Sequence, residues 1–328
     1  MNGLPKIAVV ILNYNGLQHT VECLNSVRTS TYKPLSIVVV DNASTDDSVA
    51  NLKGRLRPGE LVELSCNGGY SYGNNVGVEY SFRNGAQYAF IINNDTVIDR
   101  NCIGYLYEAI LQDERIGIVG PKVLYHSAPD IINFAGMEGC IHKAKYTRIG
   151  LDKRDGEEYQ KLVDTFYQDG CALLISKTCY EKIGGFDDRL WTYNEETDLC
   201  LRAKMDGFRV CCLQKAKIWH KVSATLGRTY DEIKPHAEYY MEYYITRNQY
   251  IFHRRYAGSR LKAAWATAIL LSRTPKRFVA IAVRRKKGKL RNIWMLIAET
   301  LVGVLTNKKY PGDMFAPIKT VKRKSQLY

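Results

Sequence analysis

Apolar and polar positions divide the first half of the chain into two alternating kinds of segment. Residues 6–12 and 35–40 (LSIVVV) are apolar and β-branched with no polar alternation, the pattern of strands buried on both faces of a parallel sheet. Residues 60–65, 87–92 and 116–120 continue the series as shorter strands. Between them, Leu17–Arg28, a segment opening at 46–52, residues 74–84 and residues 101–113 read as helices. Strands that alternate with helices predict an α/β fold with a doubly wound, mostly parallel, Rossmann-like sheet.

The second half is less regular. Residues 121–168 are rich in polar and aromatic side chains and read as an excursion from the sheet, which resumes at 171–175. Glu195–Met205 reads as a helix with Asn194 as its N-cap, acids in its first turn and Gly207 just past its end. Residues 208–213 form another strand, and 230–256 a Tyr-rich helix. Three further apolar runs follow, 261–272, 277–283 and 293–305. Each is shorter than the roughly 18–20 residues that span a bilayer.

Charge changes the reading of that last stretch. Residues 247–328 carry 20 Lys and Arg but only two acids, Glu299 and Asp313, whereas residues 1–246 carry 27 basic and 31 acidic residues. Nucleic acid, an anionic membrane and an acidic substrate are all partners for such a tail. Its basic clusters, such as RRKKGK at 284–289, alternate with apolar helical runs, which suits helices lying in a membrane interface. The alternative is helices packed on the domain with solvated basic loops. No recognised nucleic-acid module accompanies the charge, so nucleic acid is not the expected partner.

Composition adds two bounds. A chain of 328 residues with 46% apolar content forms one large α/β domain, or one domain plus an appendage. Nine cysteines without a CxxC pair, two of them adjacent at Cys211 and Cys212, read as reduced thiols in a cytosolic setting. The first apolar run, 7–12, is too short for a signal peptide or a membrane span.

Candidate chemistry gathers where strands end. The first strand runs into Asn13-Tyr14-Asn15-Gly16, with one glycine and no GxGxxG fingerprint. The second runs into Asp41-Asn42-Ala43-Ser44-Thr45-Asp46. There an acid can accept from a ribose hydroxyl, or Thr45 or Asp46 can simply cap the next helix. The third leads to NGGYSYGNNVG (67–77), a long polar segment read as a ligand-binding loop entering a helix. The fourth ends in Asn93-Asn94-Asp95. Polar residues at successive ends of a parallel sheet mark a nucleotide site. Glu195, Glu196 and Asp198 either favour the helix dipole or include a carboxylate whose pKa is raised for base catalysis. His220, after another strand, is either structural or a metal ligand beside a carboxylate.

As an ordered set, VVILNYNG, VVVDNASTDDS, NGGYSYGNNVG, IINNDT, GGFDDRLWTYNEETDLCLR, IWHKVSATLG and ITRNQYIF resemble the family 2 inverting glycosyltransferases of the GT-A fold. The likeness covers about residues 6–252 and is greatest to bacterial rhamnosyltransferase-like members that build surface polysaccharides. The resemblance implies that Tyr14 and Asp41, with Asn15, hold the nucleotide base and ribose. Asn67, Gly69, Asn74 and Asn75 would line the nucleotide-sugar pocket. Asn93 and Asp95, flanking Asn94, occupy the ends of the family's Asp-x-Asp motif. One carboxylate is then left for Mg²⁺ or Mn²⁺, with His220 as a further ligand. The family's Glu-Asp pair reads Glu195-Glu196 here. Glu196 is the expected base, with Glu195 and Asp198 as alternatives.

The Gln-x-x-Arg-Trp motif of processive synthases is absent, which implies transfer of one or a few sugars. The expected donor is a dTDP- or UDP-sugar, and the expected acceptor a glycan or polyprenol-linked saccharide. The implied layout is a GT-A domain over 1–230, with a nucleotide-sugar half at about 1–120 and an acceptor half at about 121–230. Residues 231–328 would form a helical basic region docked on the cytoplasmic face of the membrane. A nucleotidyltransferase or epimerase is the competing enzyme class, but Asn13-Tyr14-Asn15-Gly16 lacks the Gly-rich, Lys- or Arg-bearing loop that a nucleotidyltransferase shows. A catalytically inactive scaffold on the same GT-A fold is the other alternative, since the Asp-x-Asp and Glu-Asp positions are both substituted.

Overall fold

The computed structural model describes residues 4–140, 145–221 and 235–256, together with 258, 259, 261 and 268. The basic apolar runs expected at a membrane lie outside these residues except for 261 and 268. Among the described residues no helix is long and apolar enough to cross a membrane.

Strands β1 (Ile7–Asn13), β2 (Leu35–Asp41), β3 (Leu61–Glu63) and β4 (Tyr88–Asn93) are parallel neighbours in the order β4-β1-β2-β3. Helices α1 (Leu17–Arg28), α2 (Ser48–Lys53) and α3 (Gly69–Arg83) connect them. The period of two in β1 feeds both faces. Ile7, Val9 and Ile11 pack with Cys23, Leu24 and Val27 of α1 on one face. Ala8 and Val10 pack with Val78 and Phe82 of α3 on the other. Strands buried on both sides need no polar alternation.

The polar segment 67–77 is largely helix rather than loop, because α3 begins at Gly69 and not near residue 74. Its glycines serve close packing. A Cβ on Gly73 would lie 2.4 Å from Leu12 Cδ1, and one on Gly77 would lie 2.5 Å from Val10 Cγ1. Glycine's weak helix propensity disguised the helix in the sequence, and tertiary packing overrides it.

After β5 (Thr96–Ile98) and α4 (Cys102–Leu111), β6 (Ile116–Tyr125) runs five residues past its expected end at Gly120. Pro121 reads as a breaker, yet it sits opposite Leu213, next to an irregularity in the ladder where proline is tolerated. The excursion is also more ordered than expected. It contains β7 (Ala128–Phe134), β8 (Met137–Cys140), β9 (Lys145–Arg148) and β10 (Leu162–Asp164). Strand β11 (Ala172–Ser176) then inserts antiparallel between β4 and β6. Helices α5 (Lys177–Ile183) and α6 (Glu195–Met205) lead to β12 (Arg209–His220), parallel to β6 and seven residues longer than its expected end at 213. Helix α7 (Pro235–Tyr256) follows, and its described part packs Tyr243 and Tyr244 against Trp191.

Candidate active site

The carboxyl ends of β1, β2 and β4 form one polar shelf. Buried Asn13 donates from Nδ2 to Asp41 Oδ2 at 2.8 Å and accepts from Thr20 Oγ1 at 2.6 Å. Asp41 also accepts from Ser44 N at 2.8 Å and Ser44 Oγ at 2.7 Å, so its oxygens organise the loop after β2. Asn15 does the same from outside, accepting from Thr45 N at 2.7 Å. Asn42, which the sequence reading passed over, bridges the next strand end. It donates to Asn67 Oδ1 at 2.9 Å and accepts from Gly68 N at 2.8 Å. Asn67 in turn accepts from Gly69 N at 2.8 Å. Buried side-chain amides are thus joined pairwise, which makes the shelf rigid.

Beyond β4 the chain turns through Asn93-Asn94-Asp95 into β5. Asn94 is buried and donates to Thr20 Oγ1 at 3.0 Å. Pairing of β5 with β12 sets Thr96 opposite His220, and this brings Asp95 Oδ1 within 3.0 Å of His220 Nε2. Burial opposes protonation of that imidazole, but the Asp95 charge and hydrogen bond outweigh it, so its pKa is raised. A carboxylate and an imidazole at one rim fit a divalent cation whose other positions are filled by substrate phosphates and water. Among the described residues no group of three or more His, Cys, Asp or Glu forms a complete metal cage.

These residues open onto a cavity of about 560 Å³. Of the expected site residues, Tyr14, Asn67, Gly69, Asn93, Asn94, Asp95, Glu195, Glu196 and His220 line it. Asn15, Asp41, Asn74, Asn75 and Asp198 do not. Asn75 is a buried hub, donating to Phe186 O at 2.9 Å and accepting from Tyr180 Oη at 2.7 Å. Asn74 donates to Tyr70 O within its own helix at 3.0 Å. Gly69, at φ 78°, leaves room for an indole, since a Cβ there would lie 2.5 Å from Trp191 Cδ2.

Opposite the shelf stand two adjacent carboxylates. Glu195 is buried, and its Oε2 has no hydrogen-bond partner among the described residues. Glu196 is partly exposed to the cavity and accepts from Thr197 Oγ1 at 3.2 Å. Burial pushes the Glu196 carboxyl up to about 7, with the charge of Asp169 adding to the rise. Glu195 is raised as well, first by burial and then by the charge of Glu196. A carboxylate that titrates near neutrality suits general base catalysis. Asp198 is different. It accepts from Arg202 Nε and Tyr256 Oη, both at 2.7 Å, and pairs with Arg255. Those partners face α6 and α7, which fixes Asp198 as a structural anchor outside the cavity.

Asp169, Arg148 and Trp191 also line the cavity and escaped the sequence reading. Asp169 precedes β11, the reversed strand, so the amino end of that strand lies at the same edge as the carboxyl ends of its neighbours. A wholly parallel sheet would have put residue 169 on the far edge. Arg148, on β9, sits 3.8 Å from Asp169.

The expected N-cap at Asn194 is a left-handed residue with φ 68° and no side-chain capping bond. At α2 the N-cap position is Asp47, whose side chain makes no capping bond, but Asp46 Oδ1 accepts from Ser48 N, the first amide of the helix, at 3.0 Å. Cys23, Cys66, Cys102, Cys171, Cys179, Cys200, Cys211 and Cys212 are free thiols.

A family model described as Glycosyl transferase family 2 matches residues 8–184. The chain is 26% identical over 212 residues to a hexosyltransferase of low-salt glycan biosynthesis from Haloferax volcanii, covering 63% of this chain and 64% of that protein. It is 25% identical over 243 residues to the N-acetylglucosaminyl-diphospho-decaprenol L-rhamnosyltransferase of Mycobacterium tuberculosis, covering 68% of this chain and 78% of that one. The fold matches TarS residues 1–349 of S. aureus with a TM-score of 0.53 at 13% identity, over 91% of this chain and 80% of that one. It also matches a mannosyltransferase from Pyrobaculum calidifontis in complex with GDP-Man and Mn²⁺, with a TM-score of 0.52 at 16% identity, over 92% and 81% of the two chains.

Proposed function

Because this chain belongs to glycosyl transferase family 2, we propose that it is an inverting transferase. It moves one sugar, rhamnose being the first candidate, from a dTDP- or UDP-sugar to a hydroxyl of a glycan or polyprenol-linked saccharide. The observation that carries this reading is a single cavity with an amide-rich strand-end shelf on one wall and two carboxylates, Glu195 and Glu196, on the other, neither of them in an ion pair among the described residues.

Tyr14 and the Asn42–Asn67 pair bind and orient the nucleoside, while Asp41 and Asn15 hold the loops around it. Asp95 and His220, with Asn93, would hold a divalent cation, which when bound neutralises charge on the leaving diphosphate. Glu196 takes the proton from the acceptor hydroxyl as its oxygen attacks the anomeric carbon from the face opposite the leaving group. The bond to the diphosphate breaks as the new glycosidic bond forms, configuration inverts, and no covalent enzyme intermediate is needed. Burial raises the Glu195 carboxyl and the neighbouring Glu196 charge adds to the rise, so the pair resists carrying two charges at once.

The basic region after residue 247 supports peripheral docking on an anionic membrane at the cytoplasmic face, near a lipid-linked acceptor.

A thermal-shift panel with dTDP-, UDP- and GDP-sugars, with and without Mg²⁺ or Mn²⁺, tests the donor side. A ligand that binds only the folded chain must raise its apparent stability. One nucleotide sugar is expected to shift the midpoint more in the presence of metal, and Asp95→Ala is expected to abolish the metal-dependent part and sugar transfer together. Full transfer by a folded Asp95→Ala variant would overturn the assignment.

A further inference from the structure

The turn that delivers Glu195 and Glu196 is made of backbone that ordinary residues resist. Trp191, Tyr193 and Asn194 all have positive φ, at 65°, 65° and 68°. Thr192 N donates to Leu190 O at 2.7 Å, closing a three-residue turn around left-handed Trp191, the strained hand of that turn. Non-glycine residues persist in this region only where their surroundings over-determine them. The local sequence supplies little of that restraint, since Asn194 makes no capping bond with its side chain.

The restraint comes from α7. Asn248 is fully buried, and its Nδ2 lies 2.7 Å from Leu190 O, 2.8 Å from Thr192 O and 2.7 Å from Tyr193 O. One amide group, with two hydrogens, thereby serves three carbonyls of the turn. Its neighbour Arg247 donates from Nη1 to Asn248 Oδ1 at 2.8 Å and from Nη2 to Arg189 O at 2.7 Å. The first of these bonds fixes which way the amide faces. Two turns further along α7, Arg255 and Tyr256 bind Asp198 in the first turn of α6. Helix α7 therefore grips the chain on both sides of Glu195 and Glu196.

We propose that Asn248 is a positioning residue for the transfer step, holding the left-handed turn so that Glu196 meets the acceptor hydroxyl. This rests on the reading of Glu196 as the base. Asn248 does not line the cavity and sits away from the strand-end shelf, so its loss should slow the chemical step and spare donor binding. Misplacing a reacting group by about 1 Å costs on the order of a hundredfold in rate.

The test measures kcat and donor KM for Asn248→Asp, Asn248→Ala and the double variant Asn248→Ala/Asn194→Gly, with Glu196→Gln as reference. Turnover is expressed per nucleotide-binding site, so that misfolded protein does not count. Asn248→Asp keeps the size but replaces donors with acceptors, and is expected to lose about a hundredfold in kcat with donor KM within threefold. Asn248→Ala should lose at least about tenfold, and adding Asn194→Gly should recover part of that loss, because glycine takes a left-handed conformation without steric penalty. Arg247→Lys, which drops the fork that orients the amide, serves if the Asn248 variants do not fold, with an expected loss of about fivefold in kcat. Wild-type kcat in folded Asn248→Asp, or in Arg247→Lys where only that variant folds, would overturn the proposal. So would a parallel loss of donor affinity and rate. Full activity in Glu196→Gln would instead refute the base assignment.

Discussion

Two parts of this molecule bury charge, and they do so in opposite ways. Lys122 on β6 is fully buried, yet its ammonium meets the Asp155 carboxylate and donates to Tyr159 O at 2.6 Å. Lys217 completes the group, 2.7 Å from the other Asp155 oxygen. Burial tends to raise Asp155, but the two lysines win and hold it below the usual carboxylate range. Glu195 and Glu196 stand side by side, and among the described residues neither forms an ion pair. In the first group each charge touches an opposite charge, and the group fastens the 126–171 excursion to the sheet. The second is left open at a net price in stability, which is the signature expected of groups kept for chemistry rather than for folding.

That contrast can be tested by breaking each side. Glu196→Gln is expected to lower kcat by about 10²–10⁴-fold while leaving nucleotide-sugar binding intact, as measured by steady-state rates and calorimetric titration. A variant that retains wild-type kcat would place the base elsewhere. Asp155→Ala leaves the fully buried Lys122 ammonium without its carboxylate and should destabilise the fold by about 3–5 kcal/mol in urea unfolding. Its turnover per folded molecule should stay near wild type.

The smaller effects concern pH. Activity should rise with pH through about 7, the value to which burial lifts Glu196, and fall about tenfold per unit below it. Stability should move the other way. The folded-state pKa of Glu196 lies above its unfolded value of 4.5, so its favourable contribution is complete below 4.5 and is lost as pH rises through about 7. Glu196→Gln should therefore be more stable than wild type at pH 8, by as much as about 3 kcal/mol, and nearly equal to it at pH 4. Equal stability of the two proteins at both pH values would contradict the open-charge reading.

The donor wall was readable because its logic is local. Asn13, Asp41 and Asn93 each close a strand whose apolar run is plain, and parallel pairing then fixes their company. Asn42 could have been found by the same rule, one residue past Asp41. The opposite wall was half hidden. Glu195 and Glu196 were visible as a cluster, but nothing in their own segment separates them from Asp198. The difference lies in Arg255 and Tyr256, some sixty residues away on α7. Asp169 was hidden by the direction of β11, because strand polarity is a property of the sheet and not of the run ALLIS. Gly73 and Gly77 misled in the other direction, suggesting a loop where they permit close contact between α3 and β1.

Strands β6 and β11 are antiparallel neighbours, so the chain leaves the sheet and returns to it at adjacent positions. Everything between them, residues 126–171, is topologically one long hairpin connection. Such an insert can be lengthened, trimmed or exchanged without rethreading any strand of the shelf, and doubling a flexible loop costs only about 0.6 kcal/mol in closure entropy. The arrangement behaves as a cassette. A single contiguous stretch of sequence supplies Asn133, Arg148 and Asp169 to the cavity, so that part of its lining can change while the strands of the shelf keep their order.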